Sequence, residues 1–346
     1  MFILNIVLIL LTILSSKFLS INLLKNQNTL LPLISCSLTL PFISIGYIIK
    51  GYFYGKQNVT PHAISNIIEQ IIKLILIITI LPLFKNHSLS IQISIFILLN
   101  IITETSSCII MYLYLPKYIN LKELKIEYNK EETKSLLNIS IPSTSSRILG
   151  NIGYFFEPII FTNTLLKTNF SDNYITKTYG IYNGYSIQTL LVPSFFITAI
   201  SQSLIPEISK LYKNNNIKSL KKRIIESITL SLLIGIIFTT LITIFKDKIL
   251  YLLFNTTEGS KYISILAPFF ILFYIEGPIS SILISLNKIK QTTIISTTGI
   301  IIKLISLTIL GLLGYGIYSL IIAEIINIIY VSILYTITLI ISINNI

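Results

Sequence analysis

The sequence predicts an all-α membrane protein with many spans, and three observations point to that fold class. The mean hydropathy of the 346-residue chain is +0.81. Charged residues make up 12% of it, where a soluble globular domain carries roughly 25%. Apolar runs long enough to cross a bilayer as α-helices recur along the whole chain. These features exclude a soluble globule and leave little polar surface for a separate soluble domain.

The apolar runs divide the chain into ten predicted spans. They cover roughly residues 2–19, 30–49, 62–84, 89–115, 138–164, 179–204, 224–245, 262–286, 291–312 and 317–342. The longest polar stretch, 116–137, mixes lysines and glutamates and is predicted to be a cytoplasmic linker. It separates an N-terminal lobe of four spans, residues 1–115, from a C-terminal lobe of six spans, residues 138–346.

The basic residues predict the orientation of the spans. The net charge is +12, with 26 lysines and arginines. Fifteen of these lie in connections that follow even-numbered spans, and eight lie on the opposite side. Because basic connections stay in the cytoplasm, both termini are predicted to be cytoplasmic in a multi-pass protein of the cell membrane. The same distribution explains the positive charge without nucleic acid as a partner.

A short internal repeat suggests how the spans pair. The tetrapeptide IIKL occurs at 71–74 and again at 301–304, and the preceding spans carry LPF at 40–42 and LAPF at 266–269. An offset of six spans preserves orientation, so the sequence predicts parallel repeats in which spans one to four pair with spans seven to ten. Spans five and six then lack counterparts in the first lobe. We therefore expect that either the start is misplaced or the chain is a fragment lacking two N-terminal helices.

The third span carries a polar stripe. Asn66, Glu69, Gln70 and Lys73 follow one another at helical spacing and therefore share one face. Charges inside the hydrocarbon region are costly and need a partner, water or a function. Two interpretations stay open: Glu69 and Lys73 neutralise each other within the helix, or the stripe forms the wall of a cavity to which Asn66 and Gln70 contribute polar groups.

Two other cations lie within predicted spans. Lys303 shares a face of the ninth span with small polar residues, and no acid lies within one turn of it. Arg147 is one of only two arginines, the other being Arg223, against 24 lysines. A guanidinium binds phosphate through two parallel hydrogen bonds. Arg147 is thus a candidate for phosphate or pyrophosphate contact, for pairing with Glu157, or for reaching back to the interface.

Five acids also lie within the predicted spans, and they outnumber the cations there. They are Glu69, Glu104, Glu157, Glu276 and Glu324. Acids of this kind pair with cations or carry H+ or Na+, so Glu69, Glu157 and Glu276 are candidates for coupling or charge pairing. No catalytic motif, metal-ligand spacing or cofactor motif is visible in the sequence. We therefore expect neither an enzyme nor a metal or cofactor site.

Several segments resemble one family of membrane exporters. Residues 51–74, GYFYGKQNVTPHAISNIIEQIIKL, closely resemble the segment around the fifth helix of the polysaccharide-exporter and stage V sporulation protein B family, which is related to the lipid II flippases. Weaker matches in the same order are ISIPSTSSRILGNIG at 139–153, SLIPEISK at 203–210 and LAPFFILFYIEGPISSILISLNKIK at 266–290.

The resemblance implies two helical lobes around a central cavity, in an exporter or flippase fold that works by alternating access. It implies a lipid-linked, pyrophosphate-bearing glycan precursor as the substrate, moved to the outer leaflet for wall or spore-cortex synthesis. By position in the resembling segments, Lys73, Arg147 and Lys303 would face its head group. Two alternatives remain: a cation-coupled multidrug exporter of the same fold, and a truncated membrane protein that does not transport.

Overall fold

The computed structural model describes residues 2–56, 58, 60–115 and 130–344, and all regular structure in these ranges is helical. The helices are α1 Phe2–Phe18, α2 Leu30–Gly55, α3 Thr60–Ile80, α4 Leu89–Leu113, α5 Lys130–Lys167, α6 Asp172–Gly180, α7 Gln188–Leu191, α8 Ser194–Lys213, α9 Ile217–Phe254, α10 Ser260–Ser285, α11 Ile289–Leu312 and α12 Tyr318–Asn344. Each predicted span coincides with helix, which confirms the all-α prediction.

Most of these helices are long and apolar enough to cross a membrane. In the described part of the chain eight qualify, or nine if the bent run of α6, α7 and α8 counts as one span. The remaining predicted span, 138–164, lies on α5, whose side chains are described only in part. A multi-pass helical membrane protein is the architecture that these lengths support.

The chain divides into two compact units, residues 1–128 and 129–346. The division falls inside the predicted linker 116–137, of which residues 116–129 lie outside the described part. The helix α5 begins at Lys130, upstream of the predicted span start at residue 138.

The two units repeat one packing order. In the first unit α1 packs on α2, while α2 and α3 both pack on α4. In the second, α9 packs on α10, while α10 and α11 both pack on α12. This order agrees with the predicted pairing of spans one to four with spans seven to ten. The second unit adds α5, which packs on α11, and α8, which packs on α9 and α10.

The sixth predicted span is broken. Between α6 and α7 the backbone forms a π-helical segment, Ile181–Ile187, and α8 then departs at an angle of 53°. Pro193 lies at the bend, where it has no amide hydrogen to donate to the preceding turn. The bend brings the first turns of α8 against α10, where they help to form a cavity.

Candidate functional site

A buried charge cluster joins three helices of the second unit. Lys303 lies in the middle of α11 with 7% of its surface exposed. Its Nζ forms ion pairs with Oε2 of Glu157 on α5 and Oε2 of Glu324 on α12. Burying a charge is costly unless it is paired. The absence of an acid near Lys303 in the sequence is thus resolved by acids from two neighbouring helices.

Two tyrosines complete the surroundings of this cluster. The hydroxyl of Tyr179, on α6, donates a hydrogen bond of 3.3 Å to Oε1 of Glu157. The ring of Tyr154, on α5, faces Lys303 with its centroid 5.9 Å from Nζ, within the range of a cation–π interaction. With all three charged side chains ionised, the cluster carries one positive and two negative charges.

Glycines allow the helices around Lys303 to approach closely. A side chain at Gly311 of α11 would collide with Thr164 of α5, and one at Gly153 of α5 would collide with Ile300 of α11. Small residues permit such close approach between membrane helices. The sequence therefore lets Glu157 of α5 approach Lys303 by leaving no side chain at these two positions of the α5–α11 crossing.

A second polar feature is a cavity of about 420 Å³ formed by α8, α10 and α12. Glu276 lines it, and its Oε1 accepts a hydrogen bond of 2.7 Å from the Ser332 hydroxyl. The other polar lining groups include the hydroxyls of Ser194, Thr198, Ser201, Ser280 and Ser281, and Tyr274 and Tyr335 also line the cavity. Among the described residues Glu276 has no basic group within 4.0 Å, so this carboxylate is separate from the Lys303 ion pairs.

In the first unit, the polar stripe of α3 does not contain the ion pair between Glu69 and Lys73 that helical spacing allows. Lys73 is half-buried, and its Nζ lies 5.6 Å from the centroid of the Phe96 ring on α4. In the described ranges no carboxylate, including that of Glu69, comes within 4.0 Å of it. Asn66 and Gln70 are exposed on the same helix. Lys73 thus keeps its charge available on a polar face.

Three further residues, Arg147, Glu104 and Glu324, bear on the sequence predictions. Arg147 lies on α5, but its side chain is outside the described residues, so its contacts stay a prediction. The buried Oε2 of Glu104 has no hydrogen-bond partner in the part of the chain that the structure describes. Sequence reasoning did not assign Glu324 a site role, because helical spacing reveals shared faces and not which helices meet.

The sequence matches two families, one of them over more than half of the chain. Residues 1–212 match the family described as polysaccharide biosynthesis protein, and residues 183–309 match the family described as MatE.

Three curated relatives share 24–28% sequence identity with the chain over most of its length. The stage V sporulation protein B of Bacillus subtilis (strain 168) is 28% identical over 285 residues, covering 81% of this chain and 55% of the relative. Lipid II flippase MurJ of the same organism is 24% identical, covering 78% and 52%. Capsular polysaccharide biosynthesis protein CapF of Staphylococcus aureus is 26% identical, covering 68% and 56%. The chain therefore spans about half the length of these relatives.

Solved structures share the fold at low identity. The inward-facing conformation of a multidrug resistance MATE family transporter of the MOP superfamily matches with a TM-score of 0.71 and 13% identity, covering 97% of this chain and 80% of that one. An outward-facing conformation of such a transporter matches with a TM-score of 0.64 and 14% identity, covering 99% and 78%. At this identity the likeness shows a helical exporter fold and nothing of the substrate.

Proposed function

Because the chain belongs to the polysaccharide biosynthesis protein family, we propose that it moves a lipid-linked, pyrophosphate-bearing glycan precursor across the cell membrane by alternating access. The family membership confirms the resemblance identified in residues 51–74. The relatives of this chain include a lipid II flippase, a stage V sporulation protein and a capsular polysaccharide biosynthesis protein. They support wall, spore-cortex or capsule synthesis as the process that receives the glycan.

The observation that carries the proposal is the unpaired cation on α3. Lys73 lies within a predicted span, is half-buried, and has no carboxylate within 4.0 Å among the described residues. A cation inside the membrane needs a counter-charge, and a phosphate of the substrate head group would supply it. Arg147 would bind the pyrophosphate through its planar fork, and Asn66 and Gln70 would hydrogen-bond to the same head group.

Lys303 would contribute to head-group binding only by exchanging partners. Glu157 and Glu324 already engage its Nζ, so an arriving phosphate would have to displace one carboxylate. The displaced carboxylate would then take up a proton or a cation, because a free charge in that environment is costly. This exchange would link the head group to H+ or Na+, with Glu157 as the coupling residue beside Lys303.

The test is rescue of cells depleted of their lipid II flippase. The unaltered chain is expected to restore growth, and Lys73→Gln and Arg147→Lys are expected to reduce rescue at least about tenfold, as loss of one charge-assisted contact predicts. Lys177→Gln is the matched control, because Lys177 is exposed and pairs with Glu258 at 2.7 Å. Failure of the unaltered chain at normal expression, or full rescue by Lys73→Gln, would contradict the proposal.

The cation-coupled multidrug exporter remains the second candidate, and the Glu276 cavity favours it. An acidic residue beside hydroxyls and aromatic rings in about 420 Å³ offers a place for an organic cation. This alternative predicts resistance to cationic dyes that Glu276→Gln abolishes, with Glu69→Gln and Glu157→Gln as further tests. Head-group translocation by the purified chain in vesicles would exclude the third candidate, a protein that does not transport.

A further inference from the structure

A second cavity lies between the first turn of α11 and the last turns of α12. Its volume is about 300 Å³. The polar groups that line it belong to Lys288, Gln291, Thr338 and Ser342, and its apolar lining includes Ile294 and Ile341. Lys288 immediately precedes α11. The cavity therefore combines a basic rim with an apolar floor, and it lies away from both the Lys303 cluster and the residues around Glu276.

The helix order assigns this cavity to the basic side of the second unit. The C-terminus of α8 and the N-terminus of α9 meet in one short connection, so the ends of α10 and α12 and the beginning of α11 share that side. The last turn of α8 and the first turns of α9 contribute Lys210, Lys213, Lys218, Lys221, Lys222 and Arg223 to it. By the distribution of basic residues, this side is predicted to be cytoplasmic.

The charge of Lys288 is not neutralised by a nearby acid. Lys288 is half-buried, and in the described ranges no carboxylate lies within 4.0 Å of its Nζ. The nearby Lys290 is exposed and adds to the positive charge. The hydroxyls of Thr338 and Ser342 already donate hydrogen bonds of 2.7 Å to the α12 backbone, but their oxygens still accept.

The floor of the cavity continues onto surface that would face lipid. The exposed fractions of Ile294 and Ile341 are 61% and 54%, in segments that are long and apolar enough to span the bilayer. A ligand that fills this cavity would therefore meet a cation at one end and apolar side chains at the other. Basic pockets between membrane helices on the cytoplasmic side bind anionic lipid head groups.

We propose that the α11–α12 cavity binds an anionic glycerophospholipid. The phosphate lies beside Lys288 and Gln291, and the glycerol and upper acyl chains lie over Ile294 and Ile341. Free phosphate would use the basic rim alone and would leave the isoleucine floor uncovered. The apolar half of the site thus favours a lipid.

The test measures lipid binding by the purified full-length chain in detergent, using native mass spectrometry. The probes are dioleoyl phosphatidylglycerol, dioleoyl phosphatidylcholine, a polyprenyl phosphate and inorganic phosphate. Phosphatidylglycerol is expected to bind more tightly than phosphatidylcholine. Lys288→Gln is expected to weaken phosphatidylglycerol about fivefold, the value of one lysine at an anionic surface. Ile341→Asp, which places a negative charge in the floor, is expected to weaken it as well.

A matched lysine serves as the control. Lys261 is exposed at the beginning of α10, on the opposite side of the second unit, and Lys261→Gln is expected to leave phosphatidylglycerol binding within twofold of the unaltered chain. Equal binding of the two phospholipids, no effect of Lys288→Gln, preference for polyprenyl phosphate, or full competition by inorganic phosphate would each overturn the proposal. This experiment measures binding and not transport. A negative result would therefore not contradict the proposed flippase function, which the rescue assay tests separately.

Discussion

The charge cluster around Lys303 contains one lysine and two glutamates, so the charge that remains depends on which residue is removed. Removal of Lys303 leaves Glu157 and Glu324 facing each other inside the protein, whereas removal of Glu324 leaves a neutral pair. Loss of one partner from a buried ion pair costs about 3–5 kcal/mol when it leaves a charge uncompensated. We therefore expect Lys303→Met to lower the thermal unfolding midpoint of the detergent-purified protein much more than Glu324→Gln.

The exposed pair between Lys177 and Glu258 provides the control for this prediction. Its two side chains are 58% and 48% exposed, and pairs of this kind contribute about 0–1 kcal/mol. Lys177→Met should therefore change the midpoint little. A shift for Lys303→Met as small as that for Lys177→Met would show that the buried cluster does not hold α5, α11 and α12 together.

At the residue scale, the sequence located the charges better than it located their partners. The sequence predicts that Lys303 and Glu157 are both intramembrane charges, but it offers Glu157 as a partner for Arg147. For Lys73, helical spacing favoured Glu69 as one partner, whereas the structure places the ammonium over Phe96. Spacing along one helix does not specify rotamers or the neighbouring helix, and both decide which charges meet.

At the scale of elements, the crossing of α5 and α11 depends on the absence of a side chain at Gly311. A larger residue there meets Thr164, and overpacking of a close contact costs about 1–3 kcal/mol. We expect Gly311→Leu to lower the thermal unfolding midpoint, because α5 must move away and take Glu157 with it. Circular dichroism at increasing temperature measures this change.

The same substitution at an open position separates the packing effect from helix propensity. Gly180 ends α6 with nothing within 4 Å of the position that a Cβ would occupy. We expect Gly180→Leu to leave the midpoint nearly unchanged. Equal decreases in the unfolding midpoint for Gly311→Leu and Gly180→Leu would contradict the prediction that close packing of α5 on α11 stabilises the protein.

The predicted spans follow the order of the helices but differ from them in length and continuity. The sequence predicts the seventh span at 224–245, whereas α9 runs for 38 residues from Ile217 to Phe254, about 57 Å at the helical rise. Hydropathy detects only the apolar part. The helix extends further because the Asn216 side chain accepts a hydrogen bond of 3.2 Å from the amide of Ser219, while Leu220 is buried beneath the exposed lysines.

At the scale of the whole molecule, a four-residue repeat predicts that spans one to four correspond to spans seven to ten, and the packing order within each unit agrees with this. The tetrapeptide IIKL alone is weak evidence for a repeat, since isoleucine is abundant in this sequence. Its context also included the proline-containing spans that precede it, and those spans became α2 and α10, each packed on the last helix of its four-helix set. The π-helical segment has no such signal, because it depends on local backbone geometry and on packing against α10. The bend after α7 has one, since Pro193 interrupts the apolar run there.

The orientation of the chain follows from its whole charge distribution and can be measured directly. Basic residues at the end of α8 and the beginning of α9 flank the connection between these helices, so it is predicted to be cytoplasmic, and the connection between α9 and α10 must then be external. Asn214 and Thr257 are exposed in these two connections. We expect Thr257→Cys, in a background with Cys36 and Cys108 replaced by serine, to react with a membrane-impermeant maleimide in intact cells. Asn214→Cys should react only after permeabilisation, and the reverse pattern would place both termini outside.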